Sequence, residues 1–529
     1  MTTPRNKILW IGAEPNPDLE NEFDIRDHEL VHWQYENFDP ADPKIIEQIC
    51  QAKGVFFLHN EEKPSRTFAF INCISSLPVS YSGVVPVVFV KDKNSIPVIL
   101  GNLGVKDILA HRPIRFIDML SRPDYSIFAR ELVRYDAGMA PNLDLKIDGD
   151  TTSLDEVDRI LLQRSFSDCR SITIRGTPQG FSAKVITVFA EFAVPGPVRN
   201  SVPFIAKLDK NEDVEIEINN YKDYINHFVP FYLRPGVDRS RCFYDQERGI
   251  FVANYVDRST LLLDAITRGA GPAALHTLFD ETLGRWFHNT IEKKDSLYLT
   301  LQKGNPKTDR FKISQFEENP NILAQANIFD TVLSPAELLE AIKAIPCDSY
   351  LFGISHKDLH AKNVLVRGSD AVIIDFPRCE HGPILLDLAT LDVSIAFDST
   401  PIPIKENIYE KEIFKKRKEE YEKKFKEWLS FVSDMFSIDN ILGLPVHKNG
   451  HEPLAREWSC IRQIRGLALL DQKDKHKHEY AICVAIELLR RSMFGDENPR
   501  VAGCAYYLAD RLIKSLSINA DKRLIQNET

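Results

Sequence analysis

The feature that most constrains the fold and function of this chain is a polar pattern near its middle. It consists of a His, an Asp, an Asn and a second Asp, in that order. The segment HKDLHAKN covers residues 356–363, and two short apolar runs, 364–366 and 372–374, separate it from Asp375. The runs flank Gly-Ser-Asp, which predicts a hairpin with a tight turn. Such a hairpin would hold Asn363 and Asp375 at one end of a rigid support.

Three groups in this pattern are those that transfer of a phosphoryl group from a nucleotide requires. One carboxylate orients the attacking hydroxyl, while an amide oxygen and a second carboxylate hold the metal ions that bridge the phosphates. Asp358, Asn363 and Asp375 stand in this order. A hairpin with surface charges is the simpler alternative, but three separated positions and two strands of suitable length coincide here. We therefore predict phosphotransfer at this segment.

Composition limits the remaining possibilities. With 529 residues the chain is too long to fold around a single hydrophobic core, and its length suggests about three domains. The net charge of −10 argues against a general nucleic-acid binder, and no apolar run approaches the ~18 residues of a membrane span. The nine cysteines are scattered without a C-x-x-C pair, and the N-terminus runs into a strand pattern without a signal peptide. We expect a reduced cytoplasmic protein without a zinc site.

The first 120 residues alternate short apolar runs with helical stretches. This rhythm predicts a parallel sheet with helices on both faces, a doubly wound α/β domain. We expect strands at 7–12, 30–33, 54–58, 85–90 and 105–109, and helical structure at 116–120, 127–135 and 154–162.

Residues 1–120 resemble a bacterial response-regulator receiver domain in length and strand order, and an unrelated flavodoxin-like domain is the alternative. The resemblance does not extend to the chemistry. A receiver has an acidic pair after its first strand, where this chain has only Glu14, and a phosphoacceptor Asp after the third, where His59 and Asn60 stand. Arg112 takes the place of the catalytic Lys. The resemblance therefore implies a degenerate, non-phosphorylated module that could bind a partner protein. Residues 121–165 are expected to form a helical connector.

Residues 166–257 have the pattern of a small nucleotide-binding lobe. A strand, a turn with Gly176 and Gly180, and a second strand predict a hairpin whose backbone N–H groups cover phosphates. Phe181 and Ser182 complete that turn, and an ordinary hairpin is the alternative. The strand FIAKL then ends near Lys207, which is expected to bind nucleotide phosphates.

A helix with two glutamates follows Lys207. Glu217 is preferred over Glu215 as the ion-pair partner, because Glu217 and Tyr221 are four residues apart and share a helical face. An apolar strand at 249–256 lies where two lobes would join. Backbone groups from Ala253 to Tyr255 are expected to bind an adenine, and an edge strand is the alternative.

The central pattern, H-x-D-L-H-x-x-N-V-L-V followed by I-D-F and a D-L-A helix, resembles the aminoglycoside phosphotransferase and choline kinase branch of the protein-kinase-like superfamily. His360, two residues after the catalytic Asp, separates it from protein kinases, which usually have Lys there. The G-F-S turn and residues 166–169 are similar to the bacterial ternary complex-associated kinase-like domains. The resemblance implies a bilobal α+β fold, with 258–529 as the large lobe, a helical insertion and a helical C-terminal extension.

The resemblance also implies roles for individual residues. Asp358 would orient or deprotonate the acceptor hydroxyl, Asn363 and Asp375 would hold Mg²⁺, and Lys207 would neutralise the phosphates of ATP or another nucleoside triphosphate. Four further residues are expected to support the loop or contact substrate: His356, Lys357, His360 and Asp387.

Two residues depart from the pattern of the branch. Lys357 stands where Gly is usual, and Pro377 replaces a small residue after I-D-F. Neither removes a required group, so the sequence favours an active phosphotransferase whose acceptor, a small molecule or a protein, is unknown. The fused receiver-like domain favours bacterial signalling or conflict. A catalytically silent nucleotide-sensing scaffold and a nucleotidyl transferase are the alternatives.

A long charged helix is expected at 405–437, with large apolar side chains on one face. Packing of that face against the large lobe is the main interpretation, and a coiled coil or a membrane-surface helix are alternatives. Further helices are expected at 455–471, 477–495 and 500–516.

Overall fold

The structure is a computed structural model, and it separates into two compact units. The first unit contains residues 1–219 and 236–255, and the second contains 220–235 and 256–529. The residues it describes are 7–26, 28–52, 54–76, 85–102, 115–119, 124–126, 128–129, 141–176, 183–193, 203–244, 248–256, 258–302, 320–347, 349–400, 411–443, 454–469, 474–493 and 498–527.

The first unit begins with a five-stranded parallel sheet in the order 2-1-3-4-5, which is a doubly wound arrangement. Its three central strands are buried on both faces: Leu9 and Ile11 enter one apolar core, while Ile8 and Trp10 enter another. This two-sided burial explains why the strands read as continuous apolar runs. The strands are Lys7–Ile11, Glu29–Trp33, Gly54–Leu58, Val85–Val90 and Arg115–Asp118, and the helices are Pro17–Asp24, Pro43–Gln51, Pro64–Ser76 and Ser95–Asn102.

The fifth strand differs from the sequence-based expectation. Arg115–Asp118 is a strand that pairs with 87–90, so the helix predicted over 116–120 is wrong. A four-residue segment with two apolar residues has no periodicity that separates a strand from a helix, and pairing with the neighbouring strand decides between them. The strand expected at 105–109 and most of the helix expected at 127–135 lie outside the described residues.

A six-stranded sheet forms the rest of the first unit. Its strands are Lys146–Gly149, Cys169–Gly176, Lys184–Phe192, Phe204–Lys210, Phe243–Tyr244 and Arg248–Asn254, and the helices of this region include Glu156–Ser165 and Asn211–Asn220. Residues 146–149 pair with 171–174, and Leu161 and Leu162 enter the core of this sheet. The region predicted as a helical connector, 121–165, therefore contributes its last twenty residues to the sheet and its core.

The second unit contains two small sheets and most of the helices. Strands Val364–Arg367 and Asp370–Ile373 form the predicted hairpin, with Gly368 at a positive φ of 67° in the two-residue turn. The remaining strands are Thr260–Leu261, Ile291–Lys293, Tyr350–Ser355 and Glu380–Pro383. Helices before the hairpin are Leu262–Thr267, Gly271–His276, Gly284–His288, Leu297–Gln302, Asn321–Ala326 and Pro335–Ala344.

Helices after the hairpin build the core of the second unit. They are Leu385–Asp398, Lys411–Met435, Ile438–Leu442, Ala455–Leu469, Asp474–Met493 and Pro499–Asn527. In the long charged helix, Phe425 and Trp428 are buried, and the Trp428 indole N–H donates to the Ala396 carbonyl at 2.8 Å. Its apolar face thus packs within the unit, as the sequence predicted. Among the described helices, none combines the length and the apolar composition that crossing a bilayer requires.

Candidate active site

The loop that follows strand Tyr350–Ser355 carries the polar pattern of residues 356–363. His356 is fully buried, and its Nε2 lies 3.1 Å from the Ile374 carbonyl oxygen. This contact joins the loop to the segment that leads into Asp375. His356 therefore lies behind the loop, where it braces the backbone.

Asp387 anchors the same loop from the first turn of helix Leu385–Asp398. Its two carboxylate oxygens accept the backbone N–H of His356 at 2.7 Å and that of Lys357 at 2.8 Å. Asp387 is 2% exposed, so both hydrogen bonds form away from water, where charge-assisted bonds are strong. Asp387 thus fixes the backbone immediately before Asp358.

Lys357 has a left-handed backbone with φ of 57°, which explains why Gly suits this position. A non-Gly residue is strained in this conformation. The Lys357 ammonium forms an ion pair with Glu380, and the Lys357 backbone N–H donates a hydrogen bond to Asp387. These contacts compensate the strain and direct the side chain toward Glu380.

Asp358 is held by two arginines. Arg490, on helix Asp474–Met493, donates from Nη2 to Oδ1 of Asp358 at 2.5 Å, and Nη1 of Arg378 lies 3.9 Å from the same oxygen. Burial opposes ionisation, but the charges of Arg490 and Arg378 outweigh it and hold the pKa of Asp358 well below its usual range. Among the described residues, no group donates a hydrogen bond to Oδ2, so that oxygen is available to an acceptor hydroxyl.

Asn363 is oriented by the main chain of the loop. Its Nδ2 donates to the Asp358 carbonyl at 2.9 Å, and because a carbonyl only accepts, this bond fixes the amide orientation. Oδ1 is therefore the side-chain atom left for a ligand. The Asn363 carbonyl accepts the Ile374 N–H at 3.0 Å, which ties Asn363 to the strand that ends before Asp375.

Asp375 also has a left-handed backbone, with φ of 68°. Strained backbone of this kind concentrates at functional sites, where the surrounding structure enforces it. Asn220 donates from its side-chain amide to the carbonyls of Phe376 at 2.9 Å and Pro377 at 3.1 Å, and the Tyr221 ring packs against Phe376. Pro377 therefore stands in a turn whose carbonyls are already bound.

The donor set fits a magnesium ion that is held mainly by substrate phosphates. The oriented Oδ1 of Asn363 and the Asp375 carboxylate are hard oxygen ligands, and Mg²⁺ commonly takes one or two protein oxygens together with phosphates and water. The described residues contain no group of three or more His, Cys, Asp or Glu side chains suited to a metal by themselves.

His360 lies close to Asp358 but, unlike the two arginines, it is not a charged partner of the Asp358 carboxylate. Its backbone N–H donates to the Asp358 carbonyl at 2.8 Å. Burial lowers the pKa of His360 despite the neighbouring carboxylate, so the ring is neutral at pH 7. His360 thus shapes the loop without adding charge to it.

In the first unit, Lys207 and Glu217 form an ion pair with 3.0 Å between Nζ and Oε2. The Glu217 side chain is 3% exposed and that of Lys207 15%, so the pair is largely shielded from water. Strand Phe204–Lys210 carries the lysine, and the helix that directly follows it carries the glutamate. This local strand-to-helix succession is the arrangement that the sequence spacing predicts.

The strand expected to bind adenine has fewer available donors than the sequence suggested. The N–H of Tyr255 donates to the Pro203 carbonyl at 2.8 Å, and that of Asn254 donates to Gly236 at 2.8 Å. Ala253 pairs with Ile205 in the sheet and with Val237. The N–H of Tyr255 is therefore engaged within the first unit, and adenine binding by backbone groups from Ala253 to Tyr255 stays a prediction.

The turn that we predict to cover phosphates is described only at its start. Gly176 is exposed at the end of strand Cys169–Gly176, and a Cβ there would come within 2.8 Å of the Asp150 carboxylate. Gly180, Phe181 and Ser182 lie outside the described residues.

Arg378 and Arg490 are site residues that sequence reasoning missed. Arg378 follows Pro377 directly, so its proximity to the loop could have been inferred from the hairpin. Arg490 is 132 positions from Asp358, within an amphipathic helix with several charges, and no spacing in the sequence links the two. Only the packing of helix Asp474–Met493 brings them together.

Comparison with known proteins agrees with the resemblance seen in the sequence. Residues 326–490 match the family described as "Ternary complex associated domain 9", which confirms the predicted similarity over that segment. A search of curated proteins found no match. The matching segment contains Asp358, Asn363, Asp375, Asp387 and Arg490.

Solved structures similar to this chain include aminoglycoside phosphotransferases and choline kinases. Aminoglycoside phosphotransferase APH(4)-Ia, in a ternary complex with AMP-PNP and hygromycin B, is 13% identical, with 65% of this chain and 93% of that chain covered and a TM-score of 0.33. Choline kinase from Cryptosporidium parvum is 12% identical, with 68% and 91% covered and a TM-score of 0.28. ADP-bound APH(2'')-Ib is 18% identical, with 55% and 92% covered and a TM-score of 0.26.

Proposed function

We propose that this protein is an ATP- and magnesium-dependent phosphotransferase that acts on a hydroxyl group. The observation that carries the proposal is the loop at 358–375, where Asp358 keeps Oδ2 available and Asn363 is turned to present Oδ1. Few other reactions require one anchored carboxylate beside an amide oxygen and a second carboxylate at this spacing.

Each residue has a separate role in this reaction. Asp358 accepts a hydrogen bond from the acceptor hydroxyl and orients it, while its depressed pKa makes it a weak general base. This suits phosphoryl transfer, in which positioning and electrostatics supply most of the rate. Asn363 and Asp375 would hold Mg²⁺, which would neutralise phosphate charge. Lys207, fixed by Glu217, would bind the nucleotide phosphates.

Nucleotide binding and turnover test the proposal. Calorimetric titration of the full chain with ATP at millimolar Mg²⁺ should show binding, which Asp375→Ala should weaken. Asp358→Ala should keep binding and lose ADP formation, by about 10²-fold or more. Asp439→Ala, at an exposed helix-start position, is the control that should change neither. A wild-type chain that binds no nucleotide under these conditions overturns the proposal.

A second candidate is a catalytically silent nucleotide-sensing scaffold, and the two arginines on Asp358 favour it. A carboxylate bound by guanidinium groups is a poorer partner for an incoming hydroxyl. Nucleotide binding without ADP formation, unchanged in Asp358→Ala, would support the scaffold. Release of pyrophosphate in place of ADP would identify the nucleotidyl transferase that the same loop also permits.

For the first 120 residues we propose a non-phosphorylated, receiver-like module that regulates the enzyme through a partner protein, in bacterial signalling or conflict. His59 stands where a receiver has its phosphoacceptor, and it is 7% exposed with Nδ1 2.8 Å from the Thr67 hydroxyl. Incubation with acetyl phosphate should leave the chain unmodified by intact mass. Phosphate incorporation that His59→Gln removes would overturn this assignment.

A further inference from the structure

Arg490 joins two buried carboxylates at the candidate active site. Its Nη2 contacts Asp358 at 2.5 Å, and its Nη1 contacts Oε2 of Glu487, one turn earlier on the same helix, at 3.2 Å. The side chains of Arg490, Asp358 and Glu487 are 9%, 14% and 4% exposed. A guanidinium at this depth must be paired, so Arg490 stays between these anions in the absence of an acceptor.

The carboxylates near Asp358 are engaged by other groups. Within the described residues, the surrounding ion pairs comprise four cations, Arg378, Arg490, Arg491 and Lys362, against three carboxylates, Asp358, Glu487 and Asp398. Lys357 is matched by Glu380. The Asp387 carboxylate accepts the backbone N–H groups of His356 and Lys357, and the Asp375 carboxylate is the one that we assign to magnesium.

These ion pairs favour an anionic acceptor over a cationic one. A cationic acceptor would need free carboxylates close to its hydroxyl, but each of the three is already bound to a guanidinium or an ammonium. An anionic acceptor would instead replace Asp358 as a partner of Arg490, because a guanidinium binds carboxylate and phosphate oxygens in a planar, two-point geometry. Transfer of Arg490 from Asp358 to the acceptor anion would also release Oδ1 of Asp358.

We propose that the acceptor carries an oxyanion, a carboxylate or a phosphate, close to the hydroxyl that is phosphorylated, and that Arg490 binds this oxyanion. The proposal rests on the phosphotransferase function proposed above. It makes Arg490 the residue that determines acceptor specificity, and it couples acceptor binding to the release of Asp358. An amine-bearing acceptor would lack a carboxylate to bind and would be repelled by Arg490.

A set of small alcohols with one scaffold provides the test. Glycerol, glycerate, glycerol phosphate and aminopropanediol share hydroxyl groups and differ in carrying no charge, a carboxylate, a phosphate or an ammonium. Titration of the full chain with each compound, with and without Mg-AMP-PNP, should give tighter binding of the two anions than of glycerol, and weakest binding of aminopropanediol. The two anionic compounds separate a carboxylate-bearing acceptor from a phosphate-bearing one.

Variants connect this ranking to Arg490. Arg490→Gln should weaken binding of the anions by about tenfold or more and leave glycerol unchanged, since it removes one charged hydrogen-bonding group. Arg490→Lys should retain part of the preference. Arg500→Gln makes the same chemical change at a 42% exposed ion pair with Glu422 and should keep the wild-type ranking.

Folding is checked separately, because Arg490→Gln leaves Glu487 buried without its partner. The double variant Glu487→Gln, Arg490→Gln removes that unpaired charge and should show the same loss of anion preference. Any other ranking in the wild type, including no binding by any compound, overturns the proposal, as does an anion preference that survives in both Gln variants. Titrations without nucleotide keep this result distinct from a failure to bind ATP.

Discussion

Asn363 turns its side-chain amide onto the main-chain carbonyl of Asp358, with 2.9 Å between nitrogen and oxygen. This bond closes the loop on itself and determines which Asn363 atom would face a metal. A single side chain therefore links the backbone of the residue that we propose orients the acceptor to the position of the proposed metal ligand. The two functions depend on the same local geometry.

Replacement of Asn363 with Asp tests that geometry. The carboxylate keeps a metal-binding oxygen but loses the N–H donor and faces a carbonyl oxygen, so we expect a loss of about 1–3 kcal/mol in unfolding free energy. Urea unfolding measures it. Asn289→Asp removes an exposed amide bond to the Arg285 carbonyl and should change stability much less. Equal effects of the two substitutions would contradict the assigned orientation of Asn363.

Replacement of Lys357 with Gly and with Ala isolates the strain at this position. Both substitutions remove the ion pair with Glu380, but only Gly adopts a φ of 57° without steric cost. The Gly variant should therefore be more stable than the Ala variant by about 1 kcal/mol. At Lys362, in the short helix Ala361–Asn363, the order should reverse, because Ala is the better helix former. Thermal unfolding of the four variants compares them.

The ion pair of Lys207 and Glu217 should show strong coupling. Each single change, Lys207→Met or Glu217→Gln, leaves the partner in a site that is 15% or 3% exposed. The double variant should therefore lose less stability than the sum of the two, with a coupling of about 1–3 kcal/mol. The exposed pair Glu340 and Lys343 provides the control cycle, for which little coupling is expected. Additive effects at Lys207 and Glu217 would show that the pair contributes nothing.

Stability of the second unit should depend on Arg465. Its guanidinium binds both oxygens of Asp392, at 2.6 and 3.1 Å, and both side chains are fully buried; the Tyr480 hydroxyl donates to Asp392 at 2.6 Å. Arg465→Met leaves a buried carboxylate without a counter-charge and should cost about 3–5 kcal/mol. Adding Asp392→Leu should recover much of that loss. Calorimetric unfolding tests this, and an equally unstable double variant would contradict it.

The ionisation of Asp358 predicts a pH-dependent contribution to stability. Its pKa is depressed in the folded state, so its contribution is complete above the unfolded value of about 3.9 and is lost as the pH falls toward the folded value. Wild type should exceed Asp358→Asn in unfolding free energy at pH 7 and pH 5, and the difference should shrink below about pH 4. Asp439→Asn gives the baseline at an exposed site. A difference that does not change with pH would argue against the pairing with Arg490.

Much of the fold could be predicted from the sequence, because the patterns that indicate it are local. The hairpin after Asn363 follows from two apolar runs and a Gly-containing turn, and the Lys207–Glu217 pair follows from a strand that leads directly into a helix. The central parallel strands of the first unit are buried on both faces, so they appear as continuous apolar runs. The prediction of a helix at the strand 115–118 was wrong, because four residues carry no periodicity and only pairing with a neighbouring strand determines their structure.

The sequence by itself determined the reaction chemistry that we propose, since Asp358, Asn363 and Asp375 lie on one short stretch whose local structure arranges them. Tertiary structure alone decided the electrostatics of that site. Arg490 reaches Asp358 across 132 positions of sequence, and the N–H of Tyr255 is taken by the carbonyl of Pro203. Contacts of this kind depend on how helices and strands pack. The sequence of a polar helix does not indicate which distant residue a charged side chain will contact.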